Sequence, residues 1–283
     1  METNQSYYGI FSQTKAATEF EAAEEELLRN GFFVKPDFLD PHDCEEFLTW
    51  SEEENTKREI LYGSDLLKNT QDFNIVRVPL VKNRSFFDLI VLNQWLDNLL
   101  ERLFAKTQSY YCLNQQNIIL NKPESLHKQT SWHRDMPYQP GINSIPCAYS
   151  VLVTLTDFNT DNGGTILVPG THNHSEVPSW HYIQNNQKQI SCPAGSAIIF
   201  DSLLIHRAGV NKSNQQRVAV NNVFTLPTFQ QQISFPTAML EAGVKWTDDL
   251  TLQERQRLGF GSETFRSEKD YLHSRNEKDG LFS

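Results

Sequence analysis

The sequence of 283 residues lacks the features of several common protein classes. Its longest apolar runs, such as 151–153 and 197–200, are far shorter than the ~20 residues that a membrane-spanning helix needs. Basic residues are in deficit, with 25 Lys and Arg against 35 Asp and Glu and a net charge of −10. Because nucleic acids and anionic membranes attract basic surfaces, neither is expected as a partner.

Cysteine is scarce, and the first ten residues carry no secretion signal. They contain neither a basic segment nor a long apolar segment. The cysteines are scattered without a close pair, at Cys44, Cys112, Cys147 and Cys192. This spacing favours reduced thiols over a disulfide framework or a zinc cluster. We therefore predict a cytoplasmic protein; the sequence specifies no oligomeric state.

With no internal repeat and no low-complexity stretch, the chain is predicted to form one domain over residues 1–283 in three parts. An N-terminal helical layer covers about 15–105 and a C-terminal extension about 236–283, with further helical segments at 251–258 and 263–275. Within the N-terminal layer, apolar spacing and capping residues predict a short strand at 32–34 and helices over 18–30, 40–56 and 86–105.

A β core is predicted between these helical parts, over about 108–228. Short apolar runs alternate there with turn residues such as Asn-Gly-Gly at 162–164 and Pro-Gly at 169–170. Many short strands at such spacing predict a barrel or jelly roll. The predicted strands cover 109–113, 117–120, 147–156, 165–168, 197–200, 203–206 and 217–225.

The histidines supply the first chemical signal. His133 and Asp135 lie two residues apart in the β core, so on an extended strand both side chains point to one side. His206 ends the apolar run 198–205, which places it in the interior of a barrel. Two His and one carboxylate on one face of a metal form the facial triad of non-heme Fe(II) oxygenases, with positions open for a cosubstrate and O2.

Arg217 follows His206 after eleven residues and begins the next predicted strand, which returns past the metal. An arginine at that place can bind a carboxylate through two hydrogen bonds. A chelating 2-oxo acid needs such a partner for its distal carboxylate. From the residues alone other readings stay open, because a His-x-Asp pair also arises by chance and because cupins and zinc hydrolases use the same ligands.

Several ordered blocks resemble the phytanoyl-CoA dioxygenase family of Fe(II)/2-oxoglutarate oxygenases. Residues 30–34 and 37–44 are similar to the family's opening "DGF-x-V…FLSPEE", and 121–123 with 132–138 to "KP…WHQD…Y". Residues 161–172 are similar to "ENG-x-L-x-x-x-PGSH", and 193–211 to "GD-x-x-x-F…LLHGSG-x-N". Five blocks in order, from about residue 30 to 225, are more specific than any single motif.

This resemblance implies a mainly β fold with flanking helices and a double-stranded β-helix core, of jelly-roll or cupin-like type. It implies an Fe(II) site of His133, Asp135 and His206, with Arg217 as the anchor of 2-oxoglutarate. The expected activity is hydroxylation of a small molecule with O2, while 2-oxoglutarate is decarboxylated to succinate. Gln116, which the family places near the pocket, and Trp132 and Tyr138, which flank the metal motif, are the predicted substrate residues.

The chain also departs from the family pattern. The family often has a serine two residues after the distal histidine, which helps to hold the 2-oxoglutarate carboxylate, and here that position is Ala208. Halogenases of this class have Gly or Ala where this chain has Asp135, so halogenation is disfavoured. Two other functions stay open: a non-catalytic jelly-roll binding protein, and a cupin-like metalloenzyme that does not use 2-oxoglutarate. Desaturation and cyclisation also stay open, since they share the iron site with hydroxylation.

Overall fold

The structure, a computed structural model, describes residues 16–123, 128–136, 147–262, 267–269 and 271–273. Its strands form two antiparallel sheets. The strands are β1 Phe32–Lys35, β2 Ile75–Arg77, β3 Cys112–Asn121, β4 Ala148–Thr154, β5 Ile166–Leu167, β6 Lys188–Gln189, β7 Ala197–Asp201, β8 His206–Arg207 and β9 Arg217–Thr225.

The larger sheet has six strands in the order β1-β7-β4-β9-β3-β2, and the smaller has three in the order β6-β5-β8. Side chains alternate across the large sheet, as the period of two requires. On β4, Val151 and Val153 pack with the helices, whereas Leu152 packs with Leu167 of β5 and Leu204. One face of the large sheet therefore carries the helical layer, and the other turns toward the small sheet.

Helices cover the outer face of the large sheet, apart from one whose Ile183 packs with Val168 and Ile205 beside the small sheet. They are α1 Glu19–Asn30, α2 Pro41–Tyr62, α3 Ser64–Asn69, α4 Pro79–Lys82, α5 Gln94–Phe104, α6 Trp180–Asn186, α7 Phe235–Glu241 and α8 Leu252–Arg257. As predicted, Gly31 ends α1 in a left-handed conformation, and Asp40 caps α2 with Pro41 at its first position. Helix α2 runs beyond the predicted end near residue 56, up to Gly63.

The predicted third helix, over 86–105, is wrong as a single element. The structure has a π-helical turn over Phe87–Val91 and then a new helix, α5. The side chain of Asn93 accepts hydrogen bonds from the N–H groups of Trp95 and Leu96 and so starts α5 afresh. An asparagine side chain competes with the backbone for such bonds, and the apolar spacing around it does not reveal the break.

The strand predictions hold with changes at their ends. The end of the run 109–113 and the run 117–120 form one strand, β3, which begins at Cys112 and has an irregularity between Leu113 and Gln115. The run 203–206 is mostly a turn, closed by a hydrogen bond from Leu204 N–H to the carbonyl of Asp201, so β8 begins only at His206. The antiparallel, sheet-rich architecture with helices confirms the fold prediction at that level, and the double-stranded β-helix stays a prediction.

The described start of the C-terminal extension packs into the main core. Phe235, Met239 and Leu258 are buried in the same cluster as the helical layer and the large sheet. The predicted helix over 263–275 lies largely outside the described residues. No helix in the described part of the chain is long and apolar enough to cross a membrane.

Candidate metal centre

The structure brings the three predicted metal ligands together beside the small sheet. His133 pairs with His206 of β8 through two backbone hydrogen bonds of 3.0 Å, and Asp135 N–H donates to the carbonyl of Ser202 at 3.0 Å. This short antiparallel pairing turns the side chains of His133, Asp135 and His206 toward one point. One ligating atom from each lies within 4.8 Å of the others.

The spacing within this cluster fits one shared ion. Asp135 Oδ1 lies 3.7 Å from His133 Nε2 and 3.6 Å from His206 Nε2. Metal bonds to nitrogen and carboxylate oxygen are about 2 Å long, so two ligand atoms on one ion lie within about 4 Å of each other. Both distances from Asp135 Oδ1 meet that limit.

Both imidazoles are oriented by backbone carbonyls. His133 Nδ1 lies 2.8 Å from the carbonyl oxygen of Ser131, and His206 Nδ1 lies 2.9 Å from that of Leu204. A carbonyl can only accept, so in each ring Nδ1 carries a proton, and in the neutral imidazole Nε2 then keeps its lone pair for a metal. Histidines that bind metals are held in this way by a partner on the other nitrogen.

The third predicted ligand, Asp135, is held by hydroxyl groups. Ser150 Oγ donates to Asp135 Oδ2 at 2.6 Å, and Ser202 Oγ lies 2.9 Å from Ser150 Oγ. Burial alone would raise the pKa of Asp135, but the nearby His206 and His133 and the Ser150 hydroxyl outweigh it and lower the pKa to about 2. Asp135 is therefore a carboxylate at neutral pH, with Oδ1 directed at the two histidines.

Arg217 lies in the same cavity as this cluster, together with Thr165, Ala208 and Asn221. It is the first residue of β9, and its side chain is only 2% exposed. Its Nε and Nη2 atoms have no hydrogen-bond partner in the described part of the chain, and its nearest cation–π neighbour is the ring of Phe158, 4.7 Å away. Burial lowers the pKa of Arg217 to about 10. A buried arginine in this state calls for an anion.

The predicted substrate residue Gln116 lies on the opposite face of the large sheet. Its Nε2 donates to the Phe86 carbonyl and to Asn222 Oδ1, and its Oε1 accepts from Leu80 N–H. It is fully buried against the helical layer. The expected pocket-facing orientation is contradicted because Gln116 shares the side of Ile118 and Leu120, which pack with the helices.

The residues flanking the metal motif have other surroundings. Trp132 packs against Val168, Ile183 and Ile205, and the guanidinium carbon of Arg207 lies 4.9 Å from the centre of its ring. Trp132 thus belongs to a packed cluster beside the site rather than to the cavity lining found among the described residues. Tyr138 lies outside the described residues.

Sequence reasoning missed the hydroxyl groups of the site. Ser150 and Ser202, which support Asp135, and Thr165, which lines the cavity, are all buried. Ser150 is the one polar side chain inside the apolar run 148–153, and a lone polar residue in a buried strand is a signal that could have pointed to it. The cross-strand distances that join these residues to the ligands depend on the register of the sheets, which no local pattern specifies.

Comparison with known proteins gives a consistent result. The family model described as phytanoyl-CoA dioxygenase matches residues 27–219. The dioxygenase cdmA of Talaromyces verruculosus is 26% identical over 226 residues, covering 72% of each chain. An uncharacterized protein of Mycobacterium tuberculosis is 28% identical over 184 residues, covering 64% of this chain and 66% of that relative, just under two thirds of its length.

The fold is also found among solved structures. The epimerase SnoN, in a structure described as a complex with Fe3+, alpha ketoglutarate and nogalamycin RO, superposes with a TM-score of 0.58 at 18% identity. The alignment covers 88% of this chain and 93% of that one. At this identity the likeness shows a shared fold, that of a non-heme enzyme rich in antiparallel sheet.

Proposed function

The chain belongs to the phytanoyl-CoA dioxygenase family, and from this membership we propose that it is an Fe(II)- and 2-oxoglutarate-dependent oxygenase that hydroxylates a small molecule. One observation carries the proposal: a His-Asp-His cluster and a buried arginine with unpaired nitrogens share one cavity. The cluster suits a metal, and the arginine suits the distal carboxylate of a chelating 2-oxo acid.

The donor set fits iron. His133 and His206 each offer Nε2, and Asp135 offers Oδ1, so the protein would fill three positions of an octahedral ion and leave three open. The chemistry supplied when Fe(II) and 2-oxoglutarate are bound is O2 activation, with succinate and CO2 as co-products and one oxygen atom for the substrate. Ser150 keeps Asp135 Oδ2 engaged, which leaves Oδ1 for the metal.

The other residues of the cavity bind the cosubstrate and exclude water. Arg217 has two buried nitrogens available for a carboxylate, and the guanidinium geometry permits two parallel hydrogen bonds. Leu152 and Phe200 add apolar lining to the cavity. Because Arg217 is only 2% exposed, a charge-assisted bond to it is stronger than it would be at the surface.

The proposal predicts succinate formation that depends on Fe(II), 2-oxoglutarate and His133. His133→Ala removes one of three ligands, and we expect succinate release to fall at least ~100-fold, since loss of a metal ligand exceeds the 10–100-fold typical of losing an outer partner. The measurement is succinate produced from 2-oxoglutarate under O2, first with protein alone and then with candidate substrates. His42→Ala, at an exposed position on α2, is the matched control and should behave as the unmodified protein.

Undiminished turnover in His133→Ala would contradict the proposed site. Metal binding without any binding of 2-oxoglutarate would favour the cupin-like metalloenzyme, and failure to bind metal would favour a non-catalytic binding protein. Hydroxylation itself is tested by labelled O2, because a hydroxylated product gains one labelled oxygen atom whereas a desaturated or cyclised product gains none.

A further inference from the structure

Arg207 lies next to a predicted metal ligand, at the point where β8 ends. Strand β8 consists of His206 and Arg207 alone, and successive side chains of a strand point to opposite faces. His206 points to the metal cluster, so Arg207 points away from it, to the face where Trp132 packs with Ile205. Arg207 is half-buried and still forms part of the wall of the cavity that contains the cluster. It therefore stands at the edge of this cavity.

The guanidinium of Arg207 is held over an aromatic ring. Its central carbon lies 4.9 Å from the centre of the Trp132 ring. Trp132 is itself packed against Val168, Ile183 and Ile205, which fixes the ring in place. Contact with an aromatic face holds an arginine without using its N–H groups, because these lie in the plane of the guanidinium. The side chain is thus positioned while its donors stay available.

These donors have no partner within the parts of the chain that the structure describes. Arg207 Nε is buried there without a hydrogen bond, and no ion pair of Arg207 is found in those parts, although the whole chain has a net charge of −10. Burial lowers the pKa of Arg207, and no acidic neighbour opposes this effect. Because a desolvated charge without a partner costs free energy, the position calls for an anion from outside the chain.

Arg134, the other arginine beside a predicted metal ligand, has different surroundings. Its two Nη atoms donate to the carbonyls of Thr171, His174 and Ser175, and only its Nε lacks a partner. These bonds join the metal motif to the segment that follows β5, which is a structural role. Arg207 donates to no such carbonyls, so a structural role does not account for its N–H groups.

The charges of the cavity leave Arg207 for a second anion. Apart from the two histidines of the cluster, the basic residues that line it are Arg207 and Arg217. Under the proposed function, Arg217 is already assigned to the 2-oxo acid. The remaining guanidinium offers one positive charge and a planar pair of N–H groups, which match one carboxylate in charge and in shape. A phosphate carries more charge than a single arginine balances.

Resting on the proposed function, we infer that the substrate is a carboxylic acid whose carboxylate binds Arg207 at the edge of the metal cavity. Arg207 determines specificity, because it selects the substrate by charge and holds one end of it. It takes no part in the chemical step and none in the binding of 2-oxoglutarate.

The test compares two probes that differ only in charge and end group, hexanoate and hexanamide. Each is titrated anaerobically, by isothermal calorimetry, into the protein loaded with Fe(II) and 2-oxoglutarate. We expect the unmodified protein to bind hexanoate about 10-fold more tightly than hexanamide, as for one charge-assisted bond. Arg207→Met keeps a long apolar side chain beside Trp132 and removes the charge, so it should bind the two probes equally.

Two further variants sharpen this comparison. Arg102→Met removes an arginine of α5 that pairs with Glu24, and it should keep the full preference for hexanoate. Arg207→Lys keeps the charge but loses the planar pair of donors, so it should keep only part of the preference. Arg207→Lys replaces Arg207→Met if the latter does not fold, which the unfolding midpoint of the metal-free protein reports.

Three results would overturn the inference alone. The first is the absence of any preference for hexanoate in the unmodified protein, and the second is an unchanged preference in the Arg207 variant. The third is a loss of 2-oxoglutarate affinity in that variant as large as the loss for hexanoate, which would assign Arg207 to the cosubstrate. The proposed function itself fails if the unmodified protein with Fe(II) does not bind 2-oxoglutarate, which is measured before either probe is added. The two failures are therefore distinguishable.

Discussion

At the scale of single residues, each of the three predicted metal ligands is held by a neighbouring polar group. Asp135 has two oxygens, and the structure engages one of them with Ser150 at 2.6 Å. His133 and His206 each give one nitrogen to a backbone carbonyl. In each of the three predicted ligands one polar atom is thus held by the protein, which orients the side chain.

Ser150→Ala should weaken Fe(II) binding about 10-fold, in line with the loss of an outer partner of a metal ligand. Asp135 Oδ2 would lose its donor, and the carboxylate could rotate. The measurement is a metal titration of the metal-free protein. The matched control is Ser51→Ala, because Ser51 is also buried but its hydroxyl donates to the Phe47 carbonyl in α2. Equal metal affinity in the two variants would contradict a positioning role for Ser150.

The buried carboxyl of Asp201, which lies near the site but outside it, should make the folding stability of the protein depend on pH. Burial raises the pKa of Asp201 from 3.8 to about 6, although Leu203 N–H and Arg134 act in the opposite direction. The folded state therefore binds the proton more tightly than the unfolded state. This tighter proton binding adds roughly 3 kcal/mol to the free energy of unfolding. The contribution is fully present below about pH 4 and is lost as the pH rises through about 6.

Asp201→Asn removes this charge and should make the protein more stable than the unmodified one above pH 7, by up to about 3 kcal/mol. This difference in the free energy of unfolding should decrease toward zero as the pH falls to about 4. Urea unfolding between pH 4 and 8 measures it, with the exposed Glu241→Gln as the control variant. A difference that does not vary with pH would refute the assignment.

At the scale of elements, the end of α1 is joined to the end of β7 in the large sheet through Gly31. This residue has φ of 82° and donates its N–H to the carbonyls of Glu26 and Leu27. Its carbonyl accepts from Asp201 N–H at 2.9 Å. An added Cβ would come within 2.5 Å of His172 Nδ1 and 2.8 Å of Leu204 Cδ1. Position 31 thus requires glycine for its backbone and for the space around it.

Gly31→Ala should destabilise the protein by at least about 3 kcal/mol, since steric overlap adds to the cost of 1–2 kcal/mol for a left-handed backbone. Gly170→Ala is the matched control. Gly170 has φ of 80°, but its added Cβ would meet only the Arg29 carbonyl oxygen, at 4.0 Å. That variant should lose only the stability that a left-handed backbone costs a residue other than glycine, about 1–2 kcal/mol. Equal losses in chemical denaturation would show that packing at Gly31 contributes nothing.

At the scale of the whole molecule, local sequence patterns predicted most helices and strands but not how these pack against each other. Caps and apolar spacing predicted α1, the start of α2 and the strand β9, because those signals lie within a few residues of each other. The break at Asn93 and the face of Gln116 were missed. The break arises because the side chain of Asn93 accepts a hydrogen bond from the N–H group of Leu96, which the apolar spacing does not reveal. The orientation of Gln116 depends on its hydrogen bond to Asn222, which is distant in the sequence.

The site followed the same rule. His133 and Asp135 were predicted from their spacing, but their approach to His206 requires the antiparallel pairing of residues 133 and 206. Arg217 was predicted from its place at the start of a returning strand, and its burial came from the structure. The hydroxyls of Ser150 and Thr165 carry no motif of their own, and only the register of the two sheets brings them to the site.

The central claim is that the metal cluster and Arg217 form one binding site, and one measurement tests it most directly. 2-Oxoglutarate is titrated anaerobically into the protein with and without Fe(II), for the unmodified chain and for Arg217→Met. We expect binding only with Fe(II), and an affinity at least ~100-fold lower in Arg217→Met, whose Fe(II) affinity is unchanged. The claim would be contradicted if 2-oxoglutarate bound equally well with and without Fe(II), or if its affinity for Arg217→Met were unchanged.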